Sequence, residues 1–372
     1  MIQHLLLLID LESWRENNQE GLAVQKIRIG FIGSGYMGQR AHIANYATLP
    51  DVELTALAEG RRETAKAVAQ RYGIRTTYSN HKEMLEKAKL DAVVAIMHFS
   101  LHHAVVPDIL EKGLPLLTEK PICVSLKTGE KFLKQVEEND TIYQVGYMKR
   151  CDPATRFVKE TIAQWKQSKE FGSLNYLRVT MPPGDWIFEM DPPINMGDKA
   201  SYDNETPEKS PGWMTKEQAR AYMDFINYYI HQVNLIRYLL NEDYSVEYVN
   251  SSGKILVAKS NSGVSIVLEM ATYQVVNEWH EFYESFFDKG KIKLSLPAPL
   301  TRQRAGEVEI YKNKGKNSLY QKPVIVQKWS MLEQASFFID AVRNKKRSIS
   351  PASDAVKDLQ IAEVYVKKLF AG

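Results

Sequence analysis

The sequence predicts an α/β chain, with an N-terminal doubly wound parallel sheet followed by a C-terminal α+β domain that holds a large, mostly antiparallel, open-faced sheet. Three observations predict it. Strand and helix patterns alternate up to about residue 147, the strands of this part are largely apolar, and many later strands alternate between apolar and polar residues. Continuous apolar strands are typical of parallel sheets covered on both faces, whereas alternation indicates a sheet with one free face.

The first half of the chain shows the regular alternation that a parallel sheet needs. Breaks between its elements are supplied by Gly73, Gly113 and Asn139-Asp140. The pattern predicts strands at 26–32, 53–59, 75–78, 92–97, 115–118 and 142–146, and helices at 36–47, 61–72, 80–88, 101–112 and 125–138.

The rhythm changes after Asp152-Pro153. A long insertion, 182–219, is rich in Pro, Gly, Asp and Lys, and loops of this length are usually functional or disordered. Around it the sequence predicts helices at 154–167, 220–240, 331–343 and 351–370, and strands at 173–181, 244–249, 254–258, 263–270, 291–295, 307–311 and 323–326. We therefore divide the chain into an N-terminal extension, 1–24, a first domain, 25–150, and a second domain, 151–372.

Composition and charge exclude several classes of protein. The 372 residues carry a net charge of +3 and no basic stripe with interleaved aromatics, which argues against nucleic-acid binding. Two cysteines, Cys123 and Cys151, give neither a disulfide framework nor a metal-ligand cluster and fit a reducing cytoplasm. The apolar run Leu5 to Ile9 is too short for a secretory signal, and no stretch is long enough to span a membrane.

The segment IRIGFIGSGYMG, 27–38, is the most informative in the chain. An apolar strand leads directly into Gly33-x-Gly35-Tyr36-Met37-Gly38. The first glycine permits a tight turn, the second lets a pyrophosphate approach the backbone, and the third lets the next helix pack on the strand. The helix start would present free amides to the phosphates. The motif predicts a dinucleotide-binding Rossmann domain.

The residues after the second strand bear on the choice of cofactor. Glu59 lies roughly 20 residues after the last glycine, where a carboxylate accepts hydrogen bonds from a ribose 2′-hydroxyl and repels a 2′-phosphate. Arg61 and Arg62 follow it and can clamp a 2′-phosphate if Glu59 turns away, or can cap the next helix in solvent. NAD is therefore the expected cofactor, with NADP left open.

A lysine follows the fifth predicted strand in Glu119-Lys120-Pro121, at the sheet edge where doubly wound proteins bind ligands. Together with the glycine motif, Gly146-Tyr147 after the sixth strand and a later helix that carries His231, this motif resembles the glucose-fructose oxidoreductase and inositol dehydrogenase family (Gfo/Idh/MocA). The resemblance covers nearly all of residues 25 to 370.

The resemblance implies a role for several of these residues. It places Lys120 beside the nicotinamide and the reacting carbinol, where an ammonium would stabilise developing alkoxide charge. It implies that Glu119 and Lys120 contact the cofactor and that Tyr147 contacts the substrate. His102, in FSLHHAVV, matches a family histidine at a helix start and is expected to pack there or to touch the edge of the cofactor.

The helix pattern YMDFINYYIHQVNLIRYLL places three polar residues on one face, because positions i, i+4 and i+7 coincide. These residues are Asn227, His231 and Asn234. The resemblance implies that His231 is the general acid/base, and its ordinary pKa is already near the operating pH. Relatives generally carry Asp where this chain has the two asparagines, so Asn227 and Asn234 are candidates for substrate binding through their amides. The alternative is a buried structural histidine.

Trp186 lies in the insertion, in the segment PPGDW. A tryptophan beside aspartates suits the face of a sugar ring, and the alternative is a lid or interface loop with a buried tryptophan. Lys149-Arg150 can pair with an anionic group such as a nucleotide diphosphate, or can be solvated.

These features predict an NAD(P)-dependent oxidoreductase that acts on a secondary alcohol or ketone of a sugar, cyclitol or sugar derivative. Alternatives are a glycosidase that uses bound NAD without net redox change, a non-catalytic nucleotide-binding family member, and a reductase of the biliverdin type with a wide apolar cleft. The open sheet face predicts a homodimer or homotetramer.

Overall fold

The computed structural model describes residues 25–182, 184–187, 190–200, 206–271 and 277–371. The predicted N-terminal extension, 1–24, lies outside the described residues. Over the part of the chain that is described, two sheets are formed, and no helix is both long and apolar enough to cross a bilayer.

The first sheet is parallel throughout and, among the described residues, contains six strands in the order β3-β2-β1-β4-β5-β6. The strand order reverses direction between β1 and β4, and ligands of such sheets bind in the crevice at that point, beyond the carboxyl ends of the strands. The strands are β1 (Ile27–Ile32), β2 (Val52–Ala58), β3 (Thr76–Tyr78), β4 (Ala92–Ala95), β5 (Leu116–Thr118) and β6 (Tyr143–Val145).

Helices cover both faces of this sheet. The first begins as a π-helical turn, Gly38–Ile43, and continues as α1. The C-terminal residue Gly73 of the next helix adopts a left-handed conformation with φ of 70°, which explains the predicted break there. The helices are α1 (Ala44–Tyr46), α2 (Arg62–Tyr72), α3 (His81–Lys87), α4 (His102–Glu111) and α5 (Leu126–Glu138).

The second sheet, counted over the described residues, has eight strands in the order β14-β13-β12-β11-β7-β10-β9-β8, and every pair is antiparallel except β7 with β10. This arrangement confirms the predicted fold class. The strands are β7 (Leu174–Thr180), β8 (Tyr244–Val249), β9 (Ile255–Ser260), β10 (Ser265–Glu269), β11 (Phe282–Phe287), β12 (Gly290–Ser295), β13 (Glu307–Lys312) and β14 (Leu319–Gln321).

The helices of the second half pack on one face of this sheet and return to the first sheet. They are α6 (Pro153–Ser168), α7 (Lys216–Tyr228), α8 (Ile230–Leu240), α9 (Ser330–Asn344) and α10 (Ala352–Leu369). Phe338 and Ile339 of α9 share a buried core with Ile29 and Phe31 of β1. The backbone amide of Val145 donates to a carbonyl just before α10, so C-terminal residues complete the N-terminal half. The domain boundary at residue 150 stays a prediction.

Two predicted elements were wrong, and one strand was missed. The helix 220–240 is two helices, because Tyr229 adopts φ of −108° and ψ of −1°, which interrupts the helical backbone between α7 and α8. Strand β11 was missed. The strand at 323–326 does not form: the last strand lies earlier, and Val324 is 99% exposed.

Candidate functional site

The glycine motif forms the turn from β1 into the first helix as predicted. Gly33 has φ of 85°, and a Cβ there would lie 2.3 Å from the carbonyl oxygen of Ile96 on the neighbouring strand end. A Cβ on Gly38 would lie 3.0 Å from the Gly33 carbonyl oxygen. At Gly35, by contrast, no described heavy atom lies within 4 Å of the Cβ position. Two glycines thus allow close packing, and the middle one leaves an open cradle at the crevice.

Tyr36 and Met37 of the motif contact the insertion and the core beneath it. The ring of Tyr36 meets the ring of Trp186 edge to face, with centroids 6.0 Å apart. Burial raises the pKa of Tyr36, and its hydroxyl has no hydrogen-bond partner among the described residues. Met37 packs against the core on the α1 side of the sheet. Trp186 itself is 40% exposed, so it borders the crevice without being buried as the alternative expected.

Glu59 is buried at the end of β2, and its carboxylate is already engaged. One oxygen accepts from the amide and hydroxyl of Ser34, at 3.0 and 2.8 Å. Arg61 folds back on the same carboxylate, with Nε 2.9 Å from Oε1. Burial would raise the pKa of Glu59, but these hydrogen bonds lower it below its usual value. The Glu59 carboxylate therefore does not turn away from the ribose position. The guanidinium of Arg61 is bound to Glu59, so it neither caps the helix in solvent nor is free to bind a 2′-phosphate through these nitrogens.

The insertion lies across the carboxyl edge of the parallel sheet. The side chain of Gln39, in the first helix, accepts from the Ile194 amide at 2.8 Å and donates to the Ile194 carbonyl at 2.9 Å. Farther along, Glu208 accepts from the amide of Val124 and the hydroxyl of Ser125, at 2.8 and 2.7 Å, at the start of α5. The insertion is thus attached on both sides of the crevice.

Lys120 lies at the carboxyl end of β5, and the following bond to Pro121 is cis. Its Nζ donates to the backbone carbonyl of Asn227 at 2.7 Å. That carbonyl belongs to the last turn of α7, where the helix leaves carbonyls without an internal partner and carries partial negative charge. Burial lowers the pKa of Lys120 to about 8, against the opposing effect of the Glu119 carboxylate. The lysine is therefore a half-buried cation that can gain or lose its proton near neutrality.

Glu119 links this lysine to the first helix. Its Oε1 lies 2.7 Å from Nε2 of His42, and its Oε2 accepts from the Lys120 amide at 3.2 Å. Burial would raise the pKa of Glu119, but the hydrogen bond from His42 lowers it. A Cβ at Gly146 would lie 3.3 Å from Glu119 Oε2, which explains the glycine after β6. Sequence reasoning missed His42, whose only signal is its position one helical turn after Gly38.

His231 lies in the first turn of α8, beside Tyr147, with ring centroids 5.8 Å apart at nearly right angles. The expectation of an ordinary pKa near neutrality was wrong. Burial, and after it the charges of Lys120 and Lys149, hold the pKa of His231 well below its usual value. Its Nδ1 is buried and has no partner among the described residues. His231 is therefore a neutral imidazole, which can accept a proton. Tyr147 is 1% exposed and supports the histidine ring.

A buried ion pair lies next to these two groups. Lys149 pairs with Glu281, and Glu281 Oε1 also accepts from the Gln232 side chain at 2.7 Å. Burial lowers the pKa of Lys149, while Glu281 opposes the shift. Trp279 stacks on Lys149, with 5.5 Å from Nζ to the ring centroid. The expected pairing of Lys149 with a diphosphate, or its solvation, was therefore wrong; no sequence signal pointed to Glu281, which precedes the missed strand β11.

Asn234 lies away from Lys120, in a fully buried polar network. Its Oδ1 accepts from Arg150 Nε at 2.5 Å, and its Nδ2 donates to Asp358 at 2.6 Å. Asp358 also pairs with Arg237. Asn227, before the break between α7 and α8, has an exposed side chain, so the two asparagines lie in different environments.

His102 is fully buried at the start of α4, and its Nδ1 lies 2.9 Å from the Ile122 carbonyl oxygen. Burial lowers its pKa to about 4. This position supports the loop that follows Lys120, in agreement with the packing role that was expected.

A cavity of about 790 Å³ adjoins the Lys149 pair. Its walls include Trp279 and Glu281, the insertion residues Ile187 and Met190, and the connection between β12 and β13. Lys120 and His231 do not line it. Among the described residues, no group of three or more His, Cys, Asp or Glu side chains is arranged to hold a metal ion.

Comparison with known proteins agrees with this geometry. Residues 27–147 match the model of an oxidoreductase family with an NAD-binding Rossmann fold, a description that agrees with the expected cofactor. The scyllo-inositol 2-dehydrogenase (NAD⁺) of Bacillus subtilis is 29% identical over 164 residues, 44% of this chain and 48% of that protein. The myo-inositol 2-dehydrogenase of Thermotoga maritima is 23% identical over 236 residues, 62% of this chain and 59% of that protein. The chain thus matches about half the length of these curated relatives.

The fold as a whole matches solved structures. The scyllo-inositol dehydrogenase of Lactobacillus casei, crystallised with NAD(H) and scyllo-inositol, superposes with a TM-score of 0.66 at 16% identity, over 93% of this chain and 97% of that one. The match of residues 27–147 to the family model, the inositol dehydrogenase relatives and this shared fold agree with the resemblance on which the sequence predictions depend, and the chain is similar in fold to the inositol dehydrogenases.

Proposed function

We propose that this protein is an NAD-dependent dehydrogenase that acts on a secondary alcohol of a sugar, a cyclitol or a sugar derivative. One observation carries the proposal: a half-buried lysine and a neutral histidine, Lys120 and His231, lie close enough for the charge of the lysine to lower the pKa of the histidine, beside the crevice that the glycine motif opens. A proton donor and a proton acceptor at one carbinol are what alcohol oxidation requires.

The residues of the crevice fit a nicotinamide dinucleotide. The open space at Gly35 is a cradle that a Cβ would fill, and the helix that follows presents its amide end to it. Glu59, held by Ser34 and Arg61, would place a negative charge beside the 2′-position of the adenosine ribose. When bound, the nicotinamide supplies the acceptor for the hydride.

The two catalytic groups divide the proton chemistry. The imidazole of His231 accepts the hydroxyl proton of the substrate, which its low pKa permits because the ring is unprotonated at neutral pH. The ammonium of Lys120 donates a hydrogen bond to the same substrate oxygen and stabilises the negative charge that develops on it as its proton moves to His231, before the hydride leaves the carbon and the carbonyl forms. In the reverse direction the protonated histidine returns the proton to the carbonyl oxygen.

The class of substrate follows from the polar walls of the site. Carbonyl, amide and indole groups at Asn227 and Trp186, with the half-buried Trp279, offer both hydrogen bonds and an apolar face, the pairing that a sugar ring or cyclitol presents. The relatives named as inositol dehydrogenases support the same class.

A binding and turnover experiment tests the proposal. Purified protein is titrated calorimetrically with NADH and NADPH and then assayed at the NADH absorbance with inositols, aldoses, glycosides and sugar nucleotides. We expect NADH binding and reduction of NAD⁺ by at least one polyol or sugar. Binding without reduction, together with cleavage of a glycoside, would favour the redox-neutral glycosidase. Failure to bind either dinucleotide would refute the assignment of the crevice.

We also propose that the open face of the second sheet contacts another copy of the chain. On that face the rings of Tyr176 and Phe286 stack with centroids 5.4 Å apart, beside the Arg178–Glu269 pair. Both rings are half-buried within this chain, and aromatic side chains flanked by charged residues are common in protein interfaces. Light scattering after gel filtration should show an oligomer that Phe286→Asp dissociates, and a monomeric unsubstituted protein would contradict the proposal.

A further inference from the structure

The insertion places a carboxylate on the start of α2, close to the predicted ribose site. Asp198 Oδ2 accepts from the backbone amide of Glu63 at 2.7 Å, and Asp198 Oδ1 accepts from the hydroxyl of Thr64 at 2.6 Å. The Thr64 amide lies 3.3 Å from the same carboxylate. The first-turn donors of α2 are therefore occupied by a side chain from a distant part of the sequence.

These donors lie where an additional phosphate on the ribose would have to be held. Glu59 ends β2 at the expected 2′-hydroxyl, and α2 begins three residues later with Arg62. Amides of a helix start combined with a hydroxyl form a common phosphate site. Arg61, the other candidate for a phosphate, already donates from Nε and from its terminal nitrogen to Glu59, at 2.9 and 2.8 Å.

The insertion fixes Asp198 in this place by contacts of its own. The Met196 amide donates to the Thr64 hydroxyl at 3.1 Å, and Ile194 is bonded in both directions to Gln39. Thr64 is fully buried and Gln39 is 2% exposed, so these anchors belong to the packed body of the protein. The position of the carboxylate does not depend on its own hydrogen bonds alone.

We propose that Asp198 is a specificity residue that selects NAD against NADP, an inference that rests on the proposed binding of a nicotinamide dinucleotide. Its carboxylate takes the amides and hydroxyl that a 2′-phosphate would need. It also adds a negative charge at the start of α2, against a phosphate group that carries about two negative charges at neutral pH. NAD has no 2′-phosphate and does not need these donors, so Asp198 does not disfavour its binding.

Calorimetric titration of Asp198→Ala and Asp198→Asn with NADH and NADPH tests this role. Glu208→Gln is the matched control, because Glu208 belongs to the same insertion and caps α5 through Ser125 in the same manner, far from the ribose. We expect Asp198→Ala to raise the affinity for NADPH relative to NADH at least about tenfold, the factor carried by one hydrogen bond to a charged group. Asp198→Asn should shift the ratio in the same direction by less, and Glu208→Gln should leave it unchanged.

Each outcome separates this inference from the proposed function. An unchanged NADPH to NADH ratio in Asp198→Ala, with NADH still bound, overturns the role of Asp198 alone. An equal shift in Glu208→Gln also overturns it, since general loosening of the insertion would then be the cause. If the unsubstituted protein binds neither dinucleotide, the proposed function itself fails. Hydrogen exchange gives an independent readout: NADPH should protect the amides of Glu63 and Thr64 in Asp198→Ala. Should that variant not fold, the Asn variant carries the test.

Discussion

The pH dependence of turnover tests the role of Lys120. Burial lowers the pKa of this lysine from 10.5 to about 8, and the nearby Lys149 acts in the same direction. The ammonium is then roughly 90% populated at pH 7 and roughly 10% at pH 9. If the ammonium stabilises the substrate oxygen, kcat/KM should fall about tenfold per pH unit above pH 8. Initial rates at saturating NAD⁺, followed at the NADH absorbance between pH 6 and 10, give this profile.

Two variants assign the break in the profile. Lys120→Arg keeps a cation that does not lose its proton in this range, so the break should move out of the window while the rate falls because the geometry changes. His231→Asn should lower turnover and leave the break near pH 8. A profile that is flat from pH 7 to 10, or a break that survives in Lys120→Arg, would refute the reasoning.

The lowered pKa of Lys120 also predicts how the free energy of unfolding changes with pH. Because the folded pKa of Lys120 is lower than the unfolded one, the unfolded chain binds more protons between about pH 8 and 10.5, and the free energy of unfolding should rise with pH across this window. At pH 7 the buried ammonium is a cost, so Lys120→Met should raise the free energy of unfolding by about 1 to 3 kcal/mol while it abolishes turnover. Urea unfolding at pH 7 measures this change in the free energy of unfolding. A large loss of stability would contradict the conclusion that burial destabilises the Lys120 ammonium.

Two matched pairs of substitutions test the geometry of the site. Gly33→Ala forces a Cβ against a backbone oxygen at φ of 85° and should lower the folding stability by at least about 2 kcal/mol. Gly35→Ala should fold normally but lose affinity for NADH. Thermal unfolding measures the first effect and calorimetry the second. Asn234→Asp sets a carboxylate oxygen against Asp358, where the amide nitrogen now lies at 2.6 Å, and should cost about 2 to 4 kcal/mol. Asn227→Asp, on an exposed side chain, should stay within about 0.5 kcal/mol in the same urea titration; equal effects within either pair would contradict the placement.

The elements of the parallel sheet could be predicted because local rules agree there. Apolar strands, amphipathic helices and glycine breaks all indicated the same boundaries, and Gly33, Glu59 and Lys120 lie at strand ends that the pattern already located. Strand β11 could not be predicted, since its residues are buried on both faces and do not alternate. Val324 lies in an apolar tetrapeptide that reads as a strand but finds no sheet to bury it.

The partners of the site residues could not be predicted, because they come from distant parts of the chain. Glu281 reaches Lys149 across 132 residues, and Asp198 reaches Thr64 across 134. No periodicity carries such information. The break at Tyr229 changed the predicted site most. In a continuous helix the Asn227 carbonyl would accept a hydrogen bond from an amide within the helix. Because the helix ends there, this carbonyl instead accepts a hydrogen bond from Lys120.

The attachment of the C-terminal segment to the parallel sheet limits how this protein can be dissected. The amide of Val145 donates to Ser350 at 2.9 Å, and the Ser350 hydroxyl returns a bond to the Val145 carbonyl at 2.6 Å, so the outermost strand is sealed by residues 205 positions later in the chain. A fragment that contains only the N-terminal sheet and ends near residue 150 would expose this strand edge to solvent. It would also expose the apolar surface against which Phe338 packs. Such a fragment should aggregate unless the last forty or so residues are supplied with it as a separate peptide. A transplant of this fragment into another protein would have to carry residues 330–371 as well.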